Sequence, residues 1–401
     1  MTKRIRRRAA TAMLLLAPFG LVACGGDSAV RWVGDTATPE PAGPPPTLAV
    51  TPDQGTTDAL LSTEIGAETD GEITDVTLVA AGGERVDGAM RDDGSAWVPE
   101  RPLAPETEYT ATVTATGPNG RTAATETTFT TMATPGQRTD TGLYLFDDQE
   151  YGVAMPVVVE FVQPVPEEVR ADVQRRMFVT TDPPQPGVWS WYPSGSVAFY
   201  RAPDYWEPGT TLDVRIALDG HPTGNGRYGD TDRSATATIG SRLEMKVEDD
   251  PKEMRVYEDG ELVKTMPVSL GKASTPSSSG HMVVMSKEES TVFDTFAELG
   301  PDEGYRVDIE YAMRLTWGGE FIHSAPWSVG DQGVRNVSHG CVNLAPDHAR
   351  WLFDKAKVGD PVTVSGTERR LEHGNGWTPW ELSWEEFIEG SALPVPDELR
   401  S

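Results

Sequence analysis

The chain has 401 residues, room for two to four domains of ordinary size, and carries 62 acidic against 34 basic side chains for a formal charge of −28. That excess of acid opposes nucleic-acid binding, which rests on neutralising phosphates, and it favours solubility over adhesion to anionic lipid. Only two cysteines occur, Cys24 and Cys341, which excludes a disulfide framework.

The first elements concern export. Lys3, Arg4, Arg6, Arg7 and Arg8 precede the short apolar run "TAMLLLAPFGLVA", which predicts a secretory signal over 1–23, too short for a comfortable membrane span. It ends in "LVAC", which resembles the bacterial lipobox, so Cys24 is expected to become the lipidated first residue of the mature chain. Loss of the five basic groups before it takes the charge from −28 to −33. The predicted location is the outer face of the cytoplasmic membrane and the cell wall, with the lipid as the only membrane contact. Residues 24–46 are rich in Pro and Gly and read as a linker able to reach roughly 60 Å.

Residues 47–133 predict an immunoglobulin-like β-sandwich. Tyr109, Ala111, Val113 and Ala115 alternate with threonines, the period of a half-buried strand, and "GPNG" supplies the turn that follows. Residues 134–242 predict a second such domain, with Leu212, Val214, Ile216 and Leu218 alternating before Asp219–Gly220. "PEEVRADVQRRMF" reads as a short helix or an elaborated loop. The aromatic residues of "GVWSWYPSGSVAFYRAPDYW" read as packing, with sugar binding as the rarer use.

Residues 243–366 form a third, largely β unit. A hairpin turns at Asp259–Gly260, and "GKASTPSSSG" is a polar loop. The acidic, poorly periodic stretch "STVFDTFAELGPDEGYR" predicts a long loop of the functional, lid-like kind, and 286–304 is the span expected for such a lid. Strands lead on to His323. Residues 346–355 predict a helix with Pro346 in its first turn and Gly359 beyond its end, before the strand "PVTVSG". In the tail, 367–401, Thr378 and Glu381 predict a capping box. The helix it opens should dock its tryptophans on the preceding domain. The fold class is thus mainly β, two sandwiches before a largely β unit with a short helical Trp-rich tail.

If Cys24 is consumed by lipid, Cys341 has no partner, which suggests a reactive thiol, although a free cysteine also packs as a small hydrophobe. A cysteine nucleophile needs a base and donors for an oxyanion. His323 and His339 are the candidate bases, and Gly340 frees the backbone before the sulfur. This arrangement suggests acyl transfer. A zinc site of His323, His339, Cys341 and His348 would lack the paired short loops of structural zinc sites, and a redox thiol would lack a resolving cysteine. His221 and His281 have no supporting context, and His348 reads as a solvated or capping residue.

The stretch "FIHSAPWSVGDQGVRNVSHGCVNLAP" resembles the active-site signature of the L,D-transpeptidases of bacterial cell-wall synthesis. There a His is followed, after about fifteen residues, by Ser/Thr-His-Gly-Cys, a hydrophobic residue and Asn or Arg. The likeness extends over about 243–366, and the whole layout resembles the actinobacterial members. It implies Cys341 as nucleophile, His323 as base, the Ser324 carbonyl orienting the imidazole, and the Gly340 and Cys341 amides as oxyanion hole. Tyr305 would contact the substrate carbonyl or oxyanion, Ser338, His339 and Asn343 would shape the site, and Trp327 would line it. The implied reaction is 3→3 cross-linking of peptidoglycan stem peptides through a thioester with release of D-Ala. It needs neither cofactor nor metal, and carbapenem β-lactams would acylate the same sulfur. Hydrolysis or D-amino-acid exchange from the same acyl-enzyme, and a non-catalytic wall-binding lipoprotein, are the alternatives. The stretch "TVFDTFAELGPDEGY" departs from the aromatic- and Ser-rich lids of similar members.

Overall fold

Threonine alternation builds the first layer as expected. In the strand Glu108–Thr116, Tyr109, Ala111, Val113 and Ala115 are buried while the residues between them face outward. This strand lies inside a five-stranded sheet, and a four-stranded sheet begins at Leu48–Thr51. Leu78, Phe129 and Val113 from the first meet Ile65 and Trp97 from the second in one core. The structure, a computed structural model, describes residues 43–400 other than 295, 297–299, 302–303 and 305. Cys24, the signal and nearly all of the linker lie outside the described residues, as does Tyr305.

A second pair of four-stranded sheets follows. Val157–Phe161 and Val197–Arg201 belong to one, Thr211–Ile216 and Arg233–Ile239 to the other. "PEEVRADVQ" resolves as a helix, Glu167–Gln174. The crowded aromatics are core: Trp189, Trp191 and Trp206 are all buried. The two sandwiches meet through an ionic clasp in which Glu64 accepts from Arg91 at 2.6 and 2.8 Å and pairs with Arg176. Burial pushes the Glu64 carboxyl up, and the two guanidiniums outweigh it, leaving it below the ordinary value.

The third region has a six-stranded sheet and a four-stranded sheet, with the helix Pro346–Lys355 contributing Ala349 and Leu352 to the core between them. The hairpin predicted at Asp259–Gly260 joins Glu253–Glu258 to Glu261–Pro267. This region abuts the second sandwich through backbone: Gly152 N–H donates to the Val358 carbonyl at 2.8 Å. A Cβ at Gly152 would lie 2.2 Å from Asp360 N, so the approach requires glycine.

Three expectations need correction. The stretch 286–304 is not all loop: Ser286–Asp294 is a strand paired in register with Arg306–Arg314. It is the edge strand of its sheet, wet on most of its length, so it shows no strong alternation. The capping box is also one turn further on. Ser383 Oγ accepts from Glu386 N–H at 3.2 Å while Glu386 Oε2 accepts from Ser383 N–H at 3.0 Å. Thr378 Oγ1 is instead occupied by Gly374 N–H at 2.8 Å, and Glu381 Oε2 by His281 N–H at 2.7 Å.

Lastly, the tail docks mainly on the second sandwich. Trp377 and Phe387 join its core, and Trp380 Nε1 donates to the Ala154 carbonyl at 2.7 Å. The buried Arg201 guanidinium lies 4.4 Å from the Trp380 and Phe387 rings and 5.1 Å from that of Trp384. Cation–π attraction of this kind strengthens with desolvation.

Candidate active site

Two short strands place the chemistry. Phe321–Ser324 is buried throughout and pairs in parallel with Val342–Leu344, with His323 opposite Asn343. Side chains alternate along a strand, so His323 and Asn343 share a face, and Cys341, two residues before Asn343, shares it too. All three line one cavity of about 220 Å³ with Trp327, Ser338 and His339. The sequence-predicted residues that the structure describes are therefore gathered at one place, and Ser324 contributes through its backbone. Phe293, Val307 and Ile309 form the apolar wall.

His323 is held in one tautomer. Its Nδ1 lies 2.8 Å from the Ser324 carbonyl oxygen, which can only accept, so Nδ1 carries the hydrogen and Nε2 keeps its lone pair. Burial lowers its pKa, with the Ser324 contact opposing, so the imidazole is neutral at neutral pH. The exposed Trp327 ring stands over it with centroids 5.9 Å apart.

Cys341 is 5% exposed and packs with Ile309, Ala312 and Phe321. Its thiol donates to the Gly319 carbonyl at 3.7 Å rather than to the imidazole. Burial pushes the thiol up to about 12, with the Phe321 backbone N–H opposing and the Glu320 carboxylate reinforcing. The resting sulfur is a thiol, not a thiolate.

The turn before it is clamped by serines. Ser338 Oγ accepts from Gly340 N–H at 3.1 Å and donates to the Cys341 carbonyl at 2.7 Å. Ser277 Oγ donates to the Gly340 carbonyl at 2.7 Å. Gly340 has φ +129°, a conformation that suits glycine. The Gly340 N–H, one of the expected pair of oxyanion amides, is engaged at rest by Ser338.

His339 reaches the cavity from a bend rather than an extended segment, its Nε2 3.0 Å from Lys272 Nζ. Asn343 Nδ2 donates to Ser328 Oγ at 3.1 Å, and its backbone pairs with Ser269. His348 does not line this cavity and sits on the helix Pro346–Lys355. Among the described residues no group of three His, Cys, Asp or Glu side chains is placed to hold a metal. Sequence reasoning missed Glu320, Ser277 and Lys272, since lone residues of common types carry no motif.

A family model described as "Bacterial Ig domain" matches residues 56–222, and one described as "L,D-transpeptidase catalytic domain" matches 246–364. The chain is 32% identical over 398 residues to L,D-transpeptidase 2 of Mycobacterium tuberculosis, covering 97% of this chain and 96% of that one. It is 35% identical over 406 residues to L,D-transpeptidase 5 of the same organism, covering 98% and 86%. A solved LD transpeptidase in complex with imipenem is 35% identical, covers 58% of this chain and 100% of that one, and superposes with a TM-score of 0.48.

Proposed function

The chain belongs to the L,D-transpeptidase family, and on that premise we propose that it joins peptidoglycan stems by 3→3 cross-links through a thioester on Cys341. The observation that carries the reading is the cavity shared by the Cys341 thiol and the tautomer-fixed His323.

In the proposed first step Cys341 Sγ attacks the carbonyl carbon of the third residue of a tetrapeptide stem as His323 Nε2 takes the thiol proton. Because burial leaves no standing thiolate, proton and sulfur move together. The Cys341 N–H serves the developing oxyanion, joined by Gly340 N–H once Ser338 releases it. The C–N bond then breaks, and His323 hands its proton to the departing D-Ala amine. The side-chain amine of a second stem attacks the thioester, loses its proton to His323 Nε2, and the sulfur leaves as thiolate and recovers that proton. Tyr305 is proposed to contact the carbonyl. A carbapenem presents the same electrophile, a strained amide carbonyl, and is proposed to acylate the same sulfur. We also propose that the lipidated Cys24 holds the protein at the outer membrane face.

Purified tetrapeptide stems incubated with the protein should give dimers lighter by one D-Ala each, detected by mass spectrometry, and Cys341→Ala should give none. Shortened or exchanged monomers without dimers would replace cross-linking by the carboxypeptidase or exchange reading. An intact mass unchanged by carbapenem, with stems untouched, would sink both.

A further inference from the structure

Between the strands Arg306–Arg314 and Phe321–Ser324 lies a segment that the reaction above leaves unused. The Glu320 side chain there is 6% exposed. Its Oε2 accepts from Ser278 N–H at 3.1 Å, and its Oε1 accepts from the Ser278 hydroxyl at 2.7 Å and from Arg369 Nη2 at 2.8 Å. Its backbone is pinned as well, with N–H donating to Thr316 Oγ1 at 3.0 Å and the carbonyl accepting from Leu315 at 2.9 Å. The carboxylate faces the nucleophile turn: a Cβ on Gly340 would fall 3.5 Å from Glu320 Cγ and 4.0 Å from Oε1. The preceding residue, Gly319, provides the carbonyl that takes the Cys341 thiol hydrogen.

We propose that Glu320, clamped by Ser278 and Arg369, is a positioning residue that parks the nucleophile, fixing the Gly319 carbonyl at the thiol hydrogen and setting a negative charge against the nucleophile turn until an acyl donor arrives. The proposal rests on the acyl-transfer reading of Cys341 for its consequence. Burial raises the Glu320 carboxyl, with the Ser278 hydrogen bonds and then the Arg369 charge opposing it. Once it is ionised, an anion near a sulfur disfavours thiolate, and this adds to the burial that raises the thiol. The charged and titratable groups on the elements around the sulfur include Glu320 on the preceding segment, His323 on the facing strand, His339 on the cysteine's own turn with Lys272 against it, and Arg314, whose guanidinium lies 5.2 Å from the Phe321 ring. Arg369 acts through Glu320. Ile309, Ala312 and Phe293, from the neighbouring strands, are apolar. Oxidation and alkylation run through the thiolate, so a parked thiol is spared outside the reducing cytosol.

The test is the pH dependence of iodoacetamide alkylation of Cys341 in the full chain, followed by intact mass, for wild type, Glu320→Gln and Arg369→Met. Glu320→Gln should move the profile to lower pH and alkylate faster near neutrality, by roughly tenfold for each pH unit the profile moves. Arg369→Met leaves the carboxylate without its cation and should slow alkylation in mildly alkaline buffer. A merely structural role would lower the melting temperature of both without moving the profiles in opposite senses. Profiles that superimpose on wild type, or that both move the same way, overturn the proposal. Should Glu320→Gln not fold, Arg369→Met alone decides, since its side chain is 46% exposed. Stem turnover by the wild type is read separately, so the acyl-transfer reading and this one can fail independently.

Discussion

Among the described residues two histidines are buried, and only one has been given chemistry. His221 closes the cleft of about 1060 Å³ between the two sandwiches, with Nδ1 2.9 Å from Ser62 Oγ. His323 sits under the smaller cavity with Nδ1 on a backbone carbonyl. Burial lowers both, His221 to about 4 with the Arg176 charge adding to the effect. The perturbation alone therefore does not distinguish a base from a structural ring. What differs is the neighbour: His323 shares its cavity with a thiol, whereas His221 faces the Glu64–Arg176 clasp. Perturbed titration points to function only when a reacting atom is within reach.

The comparison can be broken most decisively at the sulfur. Cys341→Ala should lower cross-linking by ~10⁴-fold or more, and His323→Gln by ~10²–10⁴-fold, whereas His221→Gln should leave turnover at the wild-type level. Steady-state assays on stems check all three, and a comparable loss in His221→Gln would erase the distinction. Next in size is Gly340→Ala. The new Cβ meets only ordinary contacts, but the left-handed backbone costs about 1–3 kcal/mol, so denaturant unfolding should show that loss together with reduced acylation.

Acid sharpens the contrast further. His221 titrates near 4 when folded and about 6.5 when unfolded. The unfolded chain binds the extra proton between these values, so stability should be full above about 6.5 and decline as pH falls toward about 4, by at most about 3 kcal/mol. His221→Gln should flatten that slope in melting curves. His323, also lowered, should keep the base competent below the ordinary histidine pKa, so the acidic limb of kcat/KM should lie under about 6.5. An acidic limb above that value would contradict a buried neutral ring. The smallest effect expected is at the tail, where Ser383→Ala removes a helix cap for about 1 kcal/mol, visible as a small drop in melting temperature with turnover intact.

Contiguous or periodic features were legible in the sequence. Asp259–Gly260 announces its hairpin because that turn demands those residues, and the Tyr109–Ala115 alternation shows one wet face. The gathering of His323, Ser338 and Cys341 was legible because one motif carries the chain from the strand of His323 to the turn that leads into its neighbour, Val342–Leu344. The engagement of the Gly340 amide by Ser338 was not, since which hydrogen bond a free donor makes is decided by side-chain placement. Nor was the strand Ser286–Asp294, because an edge strand tolerates polar residues on both faces. Of two neighbouring Ser/Thr-x-x-Glu candidates, Thr378 lost to Ser383 because Gly374 and His281 already occupy its box. Glu320 left no trace at all: its meaning comes from Ser278 and Arg369, 42 and 49 residues away.

The tail's clamp on Arg201 has a temporal side. If the chain is exported amino end first, Arg201 emerges well ahead of Trp380, Trp384 and Phe387, the rings that surround its guanidinium. The join between the second sandwich and the third region is then completed only after almost the entire polypeptide has crossed. On that order the final helix is a late latch, and a chain clipped short of it would lack the rings around Arg201 while keeping the Gly152–Val358 backbone contact.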